Sequence, residues 1–304
     1  MSTIQGAATP AQRVPLSGSL RRGTLPMRRR LVDIASRVLM VVALLIAVVP
    51  LFLVIYYVAR HGAKLLSAQF LTADIVSPRR SGGGMGPAVV GTLLITGIAS
   101  LLAIPLGVLG AIYLNEYGRK NALARLIRVM SDVMTGVPSI VMALFIYIAI
   151  VLVTKEKTGF AAALALAALM LPVVLRSSEE MLKLVPDELR QASAALGARR
   201  WKTTVSVVLP AAISGITSGI MLAIARAAGE TTPIVVCAGV ATTISWDINA
   251  QQTALPAQIF VNAQQPFLPA QDRAWGAALT LMIIVLVFTI LARLISSRFA
   301  IKNR

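Results

Sequence analysis

The sequence has very little of the side-chain chemistry on which enzymes and metal proteins rely. Its 304 residues include one cysteine, Cys237, and one histidine, His61, so the chain by itself can form neither a disulfide framework nor a zinc cluster. His61 has no acid beside it and no nucleophile elbow nearby, which argues against a Ser-His-Asp triad. We therefore predict no catalytic residues and no metal ligands. Cys237 is expected to be a packing residue, and His61 to lie at an interface.

Charged residues are also scarce, at 13% of the chain, and acidic ones most of all, with 12 Asp and Glu against 29 Lys and Arg. In a soluble protein the net charge of +17 would indicate a nucleic-acid partner. Hydrophobic residues make up 57% of this chain, however, and positive charge in the loops of such a chain is what the positive-inside rule produces. The composition thus excludes an ordinary soluble domain.

Apolar runs without charge are long enough to cross a bilayer six times. Runs of this length favour helices over barrel strands of about ten residues, so the sequence predicts an all-α membrane protein with six transmembrane helices. Residues 1–30, which contain three Pro and six Arg, are predicted to form a disordered basic arm, and residues 31–304 the transmembrane domain. The spans are expected at about 36–59, 88–114, 130–153, 158–175, 210–236 and 274–294.

Basic residues are distributed unevenly over the segments between these spans. With a cytoplasmic N-terminus, 21 of them fall in inside segments and seven in outside segments. The positive-inside rule therefore predicts that both termini are cytoplasmic.

Several short features have structural interpretations. The glycines of 82–86 lack the Gly-Lys-Ser/Thr of a phosphate-binding loop, so we predict a flexible linker. Asp132 is expected at the membrane interface. Gly215 and Gly219 form a Gly-x-x-x-Gly motif that favours close helix packing, within the chain or against a partner. The polar external loop 242–273 fits either docking of a partner protein or a solvated loop.

Two opposite charges, Arg226 and Glu230, lie inside the fifth span on one helix face. Charges at that depth should face a bundle interior or a wet cavity. One interpretation is an ion pair that serves packing alone. The other is a site on an anion pathway, in which Arg226 binds the anion through two hydrogen bonds and Glu230 keeps that binding weak. Thr231 and Thr232 would add hydroxyl donors beside Pro233.

The longest cytoplasmic loop, predicted over 176–209, has the pattern of a short amphipathic helix. Asp187 and Glu188 follow Pro186 and suit a helix start, and Gly197 is expected to end the helix. Taken alone, this pattern fits a solvated hairpin or a helix on the lipid surface equally well.

The order of residues in this loop resembles the EAA motif of ABC-importer permeases. Gln191, Ala192 and Ser193 stand where the motif has Glu-Ala-Ala, and its glycine and Leu-Pro are in register. Segments between Val90 and Pro233 are similar to the PstA-type permease family of phosphate-specific importers, with the PstC-type family as the near alternative. The resemblance implies a type I ABC importer permease fold with a coupling helix that docks on a separate ATPase. The residues assigned to that docking are Glu188, Gln191, Ala192, Ser193, Gly197, Arg199, Arg200, Leu209 and Pro210.

The resemblance also implies a function and a set of partners. The chain would be the membrane subunit, not itself an enzyme, of a phosphate importer in the bacterial cytoplasmic membrane. It would work with a PstC-type permease, a homodimeric PstB-type ATPase that binds ATP and Mg, and an external PstS-type phosphate-binding protein, and it would hold no cofactor itself. A permease for sulfate, molybdate or phosphonate, a stand-alone secondary transporter and an integral membrane enzyme stay open as alternatives.

Overall fold

The computed structural model describes residues 27–118 and 121–299, and these residues form helices and loops with no β-strand among them, which confirms the all-α prediction. The helices are α1 (Met27–Gly62), α2 (Ala68–Thr72), α3 (Gly86–Ile112), α4 (Ala122–Gly136), α5 (Ser139–Ile146), α6 (Leu152–Thr154), α7 (Gly159–Lys183), α8 (Asp187–Ala195), α9 (Arg200–Thr203), α10 (Leu209–Ala228), α11 (Leu255–Ala263) and α12 (Leu268–Phe299). Within the same residues, π-helical turns extend or join them at Tyr113–Tyr117, Tyr147–Val151, Thr204–Val208 and Ile234–Ala238.

Each predicted span has a helical counterpart with different ends. The segments long and apolar enough to cross a membrane are Met27–Gly62, Gly86–Tyr117, Gly159–Lys183, Arg200–Ala228 and Leu268–Leu294, and the bent pair of α4 with the helix Ser139–Thr154 supplies a sixth. Residues 1–26 of the predicted arm lie outside the described residues, and residues 27–30 already belong to α1. The predicted loop 176–209 is shorter, because α7 continues to Lys183 and the next span begins at Arg200.

The chain divides into two compact units, residues 1–55 and 56–304. The described part of the first unit is α1 up to Ile55, and its residues are exposed throughout. Apolar side chains such as Leu39 and Phe52 are exposed to 70% and 66%. A helix with this surface is stable in lipid or against another chain.

The second unit has a core in which small residues bring α3, α7 and α10 close together. Ala161, Ala162 and Ala163 of α7 are fully buried. A Cβ on Gly107 of α3 would lie 2.7 Å from Val174 Cγ1, and one on Gly219 of α10 would lie 2.6 Å from Ser177 Cβ. Such approaches are typical of membrane helices, which associate through tight packing of small residues.

Gly219 and Gly215 therefore pack within the chain, against α7. We expect Gly219→Ala to destabilise the protein by about 1–3 kcal/mol, because Ser177 and the α10 backbone must move apart. The measurement is the melting temperature of the solubilised protein. Gly97→Ala on α3 is the matched control, since its Cβ would meet nothing within 4 Å and alanine raises helix propensity. Equal melting temperatures for the two variants would contradict this packing.

The third span, predicted over 130–153 as one helix, is bent into two helical segments. Helices α4 and the segment Ser139–Thr154 meet at an angle of 106°. Val137 between them has an extended backbone with ψ 127°, which the following Pro138 favours because its ring clashes with a helical residue before it.

The glycine segment 82–86 is held in place by hydrogen bonds, so the predicted flexible linker is wrong. Arg273, with 2% of its surface exposed, donates to the backbone carbonyls of Ser77, Arg80 and Gly82 at 3.2, 2.7 and 3.2 Å. A buried guanidinium needs such acceptors. The loop before α3 is thereby attached to the start of α12.

Some amide side chains of the loop 242–273 are also internal, so solvation alone does not account for its polar composition. Gln252 is 1% exposed and donates to the carbonyls of Ser245 and Asp247 at 3.0 and 2.9 Å. Asn262, on the unpredicted helix α11, is 4% exposed and donates to the Gln258 carbonyl at 2.9 Å. Buried amides paired in this way hold an irregular segment in one conformation.

Candidate functional site

The fifth span is interrupted directly after Arg226. Helix α10 ends at Ala228, the chain leaves the helical conformation over residues 229–231, and helical structure resumes at Thr232. The amides of Gly229 and Glu230 bond the carbonyls of Arg226 and Ala227 at 3.1 Å, so the helix closes in a tight turn before the break. Interrupted membrane helices of this kind are typical of substrate and ion sites in transporters.

The packing of α10 on α7 gives the depth of this break. Gly219 lies against Ser177, and Gly215 against Met181, so the two helices run antiparallel. Arg226 is seven residues, or about 10 Å, beyond Gly219 along the helix. That distance brings it level with the middle of α7, far from both ends of the membrane domain.

Arg226 and Glu230 form a loose ion pair beside the break. Arg226 Nε lies 3.7 Å from Glu230 Oε1, and the side chains are exposed to 67% and 21%. This separation exceeds hydrogen-bond distance, so the guanidinium donors are not consumed by the carboxylate. Thr231 and Thr232 follow directly and are partly buried. The four residues predicted for the anion pathway are thus adjacent along one break.

A second charged cluster lies at the far end of α7, around the fully buried carboxylate of Glu179. This carboxylate accepts Arg128 Nε at 2.7 Å and Arg176 Nη1 at 3.2 Å, and Lys183 Nζ lies 2.9 Å away. Arg176 also pairs with Asp132 at 3.1 Å, so Asp132, which is 55% exposed, has an ionic partner. The cluster joins α4 to α7 and satisfies the buried charge.

The predicted short helix is present as α8, with Asp187 and Glu188 in its first turn. Gly197 follows it with φ 78°, a conformation that glycine adopts without strain, so the predicted helix stop is confirmed. Arg199 precedes α9 and Arg200 is its first residue. Gln191, Ala192 and Ser193 lie on α8 itself.

Leu209 and Pro210 do not begin the fifth span, which is a difference from the prediction. The span starts at Arg200 and includes the π-helical turn Thr204–Val208 directly before them. Proline has no N–H to donate and its ring clashes with the carbonyl four residues earlier. A wider π-turn at this point removes that conflict while the chain stays helical.

Apolar and basic side chains share the surface around α8 and α9. Leu184, Leu196 and Trp201 are exposed to 74%, 89% and 59%, and Arg199 and Arg200 are also exposed. Large apolar residues exposed together indicate an interaction surface. We call the residues Leu184, Leu189, Leu196, Arg199, Arg200 and Trp201 the α8 surface.

Three residues that organise this end of the protein were not predicted. They are Glu179, Arg190 on α8 and Glu116 after α3. Arg190 Nη2 and Glu116 Oε1 are 2.9 Å apart. Their sequence signal is weak, because the partners are 74 positions apart. Glu116 directly follows the apolar run of the second span, and this position was the available sign in the sequence that it has a partner.

The single cysteine and the single histidine do not contribute to these sites. Cys237 is buried and its thiol donates to the Ala143 carbonyl at 3.4 Å, which fits the predicted packing role. His61 stacks on Trp275 with ring centroids 5.2 Å apart. Among the described residues, no three His, Cys, Asp or Glu side chains are grouped as metal ligands.

Comparison with known proteins agrees with this architecture. Residues 103–301 match the family described as binding-protein-dependent transport system inner membrane component. The chain is 18% identical, with a TM-score of 0.56, to a chain of the inward-facing MetNI methionine ABC transporter, over 71% of this chain and 94% of that one. It matches a bacterial ABC transporter that imports the acidic polysaccharide alginate with a TM-score of 0.56 and 16% identity, over 88% of this chain and 99% of that one. These similarities show the type I ABC importer permease fold.

Proteins related by sequence are more similar to this chain than these solved structures are. The chain is 41% identical over 285 residues, 92% of each protein, to phosphate transport system permease protein PstA 1 of Mycobacterium tuberculosis H37Rv. It is 42% identical to PstA of Mycobacterium leprae over 86% of this chain and 87% of that protein. The identity to PstA of Yersinia pestis is 37%, over 89% and 92%. The chain therefore belongs to the family of binding-protein-dependent transport system inner membrane components and, within it, to the PstA-type permeases.

Proposed function

We propose that this chain is the membrane-spanning subunit of an ATP-driven importer that carries inorganic phosphate across a bacterial cytoplasmic membrane. The observation that carries the proposal is 41% identity, over 92% of the chain, to a protein named as a phosphate transport permease. The chain is a permease and not an enzyme, so the energy for transport comes from a partner.

We place the phosphate pathway at the break in the fifth span. Arg226 is a cation at mid-membrane depth with 67% of its side chain exposed on the surface of this subunit. A guanidinium facing lipid there would be costly, so this surface faces a wet pathway or a polar partner. Its fork matches two phosphate oxygens, while Glu230 limits how tightly the anion is held. Thr231 and Thr232 supply hydroxyl donors.

The exposure of Arg226 and its separation from Glu230 support this pathway over a pair that serves packing alone. A packing pair would be buried, with its hydrogen bonds satisfied internally. Here the carboxylate is 21% exposed and lies 3.7 Å from Arg226 Nε. A phosphate that enters between subunits can therefore reach the free donors of Arg226.

The partners follow from the same family. A PstC-type permease would cover the exposed pathway surface, a homodimeric PstB-type ATPase would hold ATP and Mg, and a PstS-type protein would deliver phosphate from outside. We propose that the ATPase docks on the α8 surface, where apolar residues such as Leu196 are ringed by basic ones such as Arg199. This assignment puts both termini and α8 in the cytoplasm, in accord with the 21 basic residues of the inside segments.

Reconstitution of the four components in liposomes tests the proposal. We expect phosphate-loaded binding protein to raise ATP hydrolysis several-fold over unloaded binding protein and to drive uptake of radioactive phosphate. Binding proteins loaded with sulfate or molybdate serve as the comparison. Stimulation by sulfate and not by phosphate would overturn the assignment of phosphate as the substrate. ATP hydrolysis without the ATPase subunit would overturn its assignment to a separate partner.

A further inference from the structure

Arg190 of α8 is enclosed by partners, although its neighbours on the helix are exposed. Its side chain is 14% exposed, against 43% for Leu189. Arg190 Nη2 donates to Glu116 Oε1 at 2.9 Å and to the Leu182 carbonyl at 3.0 Å, and Nη1 donates to the Val185 carbonyl at 2.6 Å. One guanidinium thus connects α8 to the ends of two membrane spans.

Its acidic partner, Glu116, lies in the π-helical turn that prolongs α3. The Glu116 side chain is 11% exposed. Both of its oxygens lie 3.3 Å from Arg190 Nε, and Oε1 also accepts the amide of Asn115 at 2.7 Å. A shielded, doubly contacted pair of this kind is stronger and more directional than a solvated surface pair.

Arg190 Nη1 also lies 3.5 Å from the Pro186 carbonyl and 3.1 Å from Asp187 Oδ1 at the start of α8. The contacted carbonyls of Leu182, Val185 and Pro186 thus lie in the last turn of α7 and in the short link to α8. The last carbonyls of a helix have no intrahelical donor, and Pro186 prevents α7 from continuing into α8. Arg190 adds a side-chain donor to these carbonyls, so the start of α8 is bonded to the end of α7 as well as to the prolonged α3.

The other end of α8 is connected to the fifth span. The hydroxyls of Ser193 and Thr203 are 2.9 Å apart, and Gly197 makes the turn between α8 and α9. Thr203 belongs to the continuous helical segment Arg200–Ala228, which also carries Arg226. α8 therefore contacts both the α3 and α7 ends and the span that bears the proposed phosphate site.

We propose that Arg190 is a positioning residue that transmits movement of α8 to α3 and α7. This inference rests on the proposed function, in which an ATPase docks on the α8 surface. α3 and α7 are in direct contact at Gly107, where a Cβ would lie 2.7 Å from Val174 Cγ1, so a displacement that reaches one is passed to the other. Arg190 and Glu116 touch no phosphate. Their ion pair couples α8 to the spans. A displacement of α8 therefore moves α3 and α7, whereas without the pair α8 would slide across them.

The test uses the complete transporter in liposomes and measures phosphate transported per ATP hydrolysed. Arg190→Lys keeps the charge but puts all donors on one nitrogen and so loses the planar fork that reaches both Glu116 and the carbonyls. Glu116→Gln keeps the shape but loses the charge. We expect each variant to assemble, to hydrolyse ATP at near the normal basal rate, and to transport at least threefold less phosphate per ATP. The double variant should be no worse than the worse single variant, since both remove one linkage.

Arg125→Lys on α4 and Glu180→Gln on α7 are the matched controls, because both side chains are exposed, and both should keep the normal ratio. In a second experiment a covalent link replaces the ion pair. The double variant Glu116→Cys with Arg190→Cys, joined by a flexible thiol crosslinker, should regain transport. The native Cys237 is buried and does not compete for the reagent.

Two results would overturn the inference while the wild-type complex imports phosphate. One is a normal transport ratio in Arg190→Lys and Glu116→Gln. The other is loss of assembly in step with loss of transport, which would make the pair a purely structural one. A wild-type complex that hydrolyses ATP without moving phosphate would instead count against the proposed function.

Discussion

Arg226→Ala is expected to lower phosphate uptake by about 100-fold or more while the transporter still assembles. Each hydrogen bond to a charged group contributes about 1.5–3 kcal/mol, and a guanidinium fork makes two of them to a phosphate. The side chain is 67% exposed in this subunit, so its loss leaves no cavity in the fold. The measurement is uptake of radioactive phosphate by the reconstituted complex, with assembly followed by size-exclusion chromatography.

Companion variants separate a phosphate site from a packing pair. Arg226→Lys keeps the charge and loses the fork, so it should restore only part of the uptake. Glu230→Gln should bind phosphate more tightly and release it more slowly, because the competing carboxylate charge is gone. Arg125→Ala, an exposed arginine on α4, is the control for charge alone. Normal uptake by Arg226→Ala would refute the proposed pathway.

Glu179→Ala is expected to have the largest effect on stability, because it leaves three cations around an empty buried site. Arg128, Arg176 and Lys183 all contact this carboxylate, which is fully buried. Removal of one partner from a buried ionic cluster costs about 3–5 kcal/mol. We expect a large fall in melting temperature and a small yield of assembled complex.

The neighbouring acid provides the control for this variant. Glu180 is exposed, so Glu180→Ala removes the same charge from the same turn of α7 and should change the melting temperature little. Glu179→Gln keeps the volume and should fall between the two alanine variants. Equal melting temperatures for Glu179→Ala and Glu180→Ala would mean that the cluster contributes nothing to stability.

The number of spans could be predicted from the sequence, because the requirement is local. Each run must be apolar over the thickness of a bilayer and must satisfy its own backbone hydrogen bonds. The start of α8 at Asp187 and its stop before Gly197 were predictable for the same reason, since capping depends on a few adjacent residues.

The bend after α4 and the hydrogen bonds that hold the glycine loop were not predictable in this way. Pro138 marks a possible break, but proline inside a span is often accommodated, as Pro105 within α3 demonstrates. Glycines 82–86 have the composition of a linker, and the buried Arg273, more than 180 positions later in the chain, is one of the partners that hold them in place. Long-range partners leave no periodic signal in either segment.

The sequence by itself determined that this chain is an α-helical membrane protein, where its charges concentrate, and which four residues, from Arg226 to Thr232, carry polar chemistry into an apolar span. The tertiary structure decided what those charges contact. It ends α10 level with the middle of α7, leaves Arg226 exposed beside the break, and brings Arg190 to Glu116 and to the end of α7. Depth and contact depend on how helices pack side by side, and that packing is decided by small residues such as Gly219 whose partners lie far away in the chain.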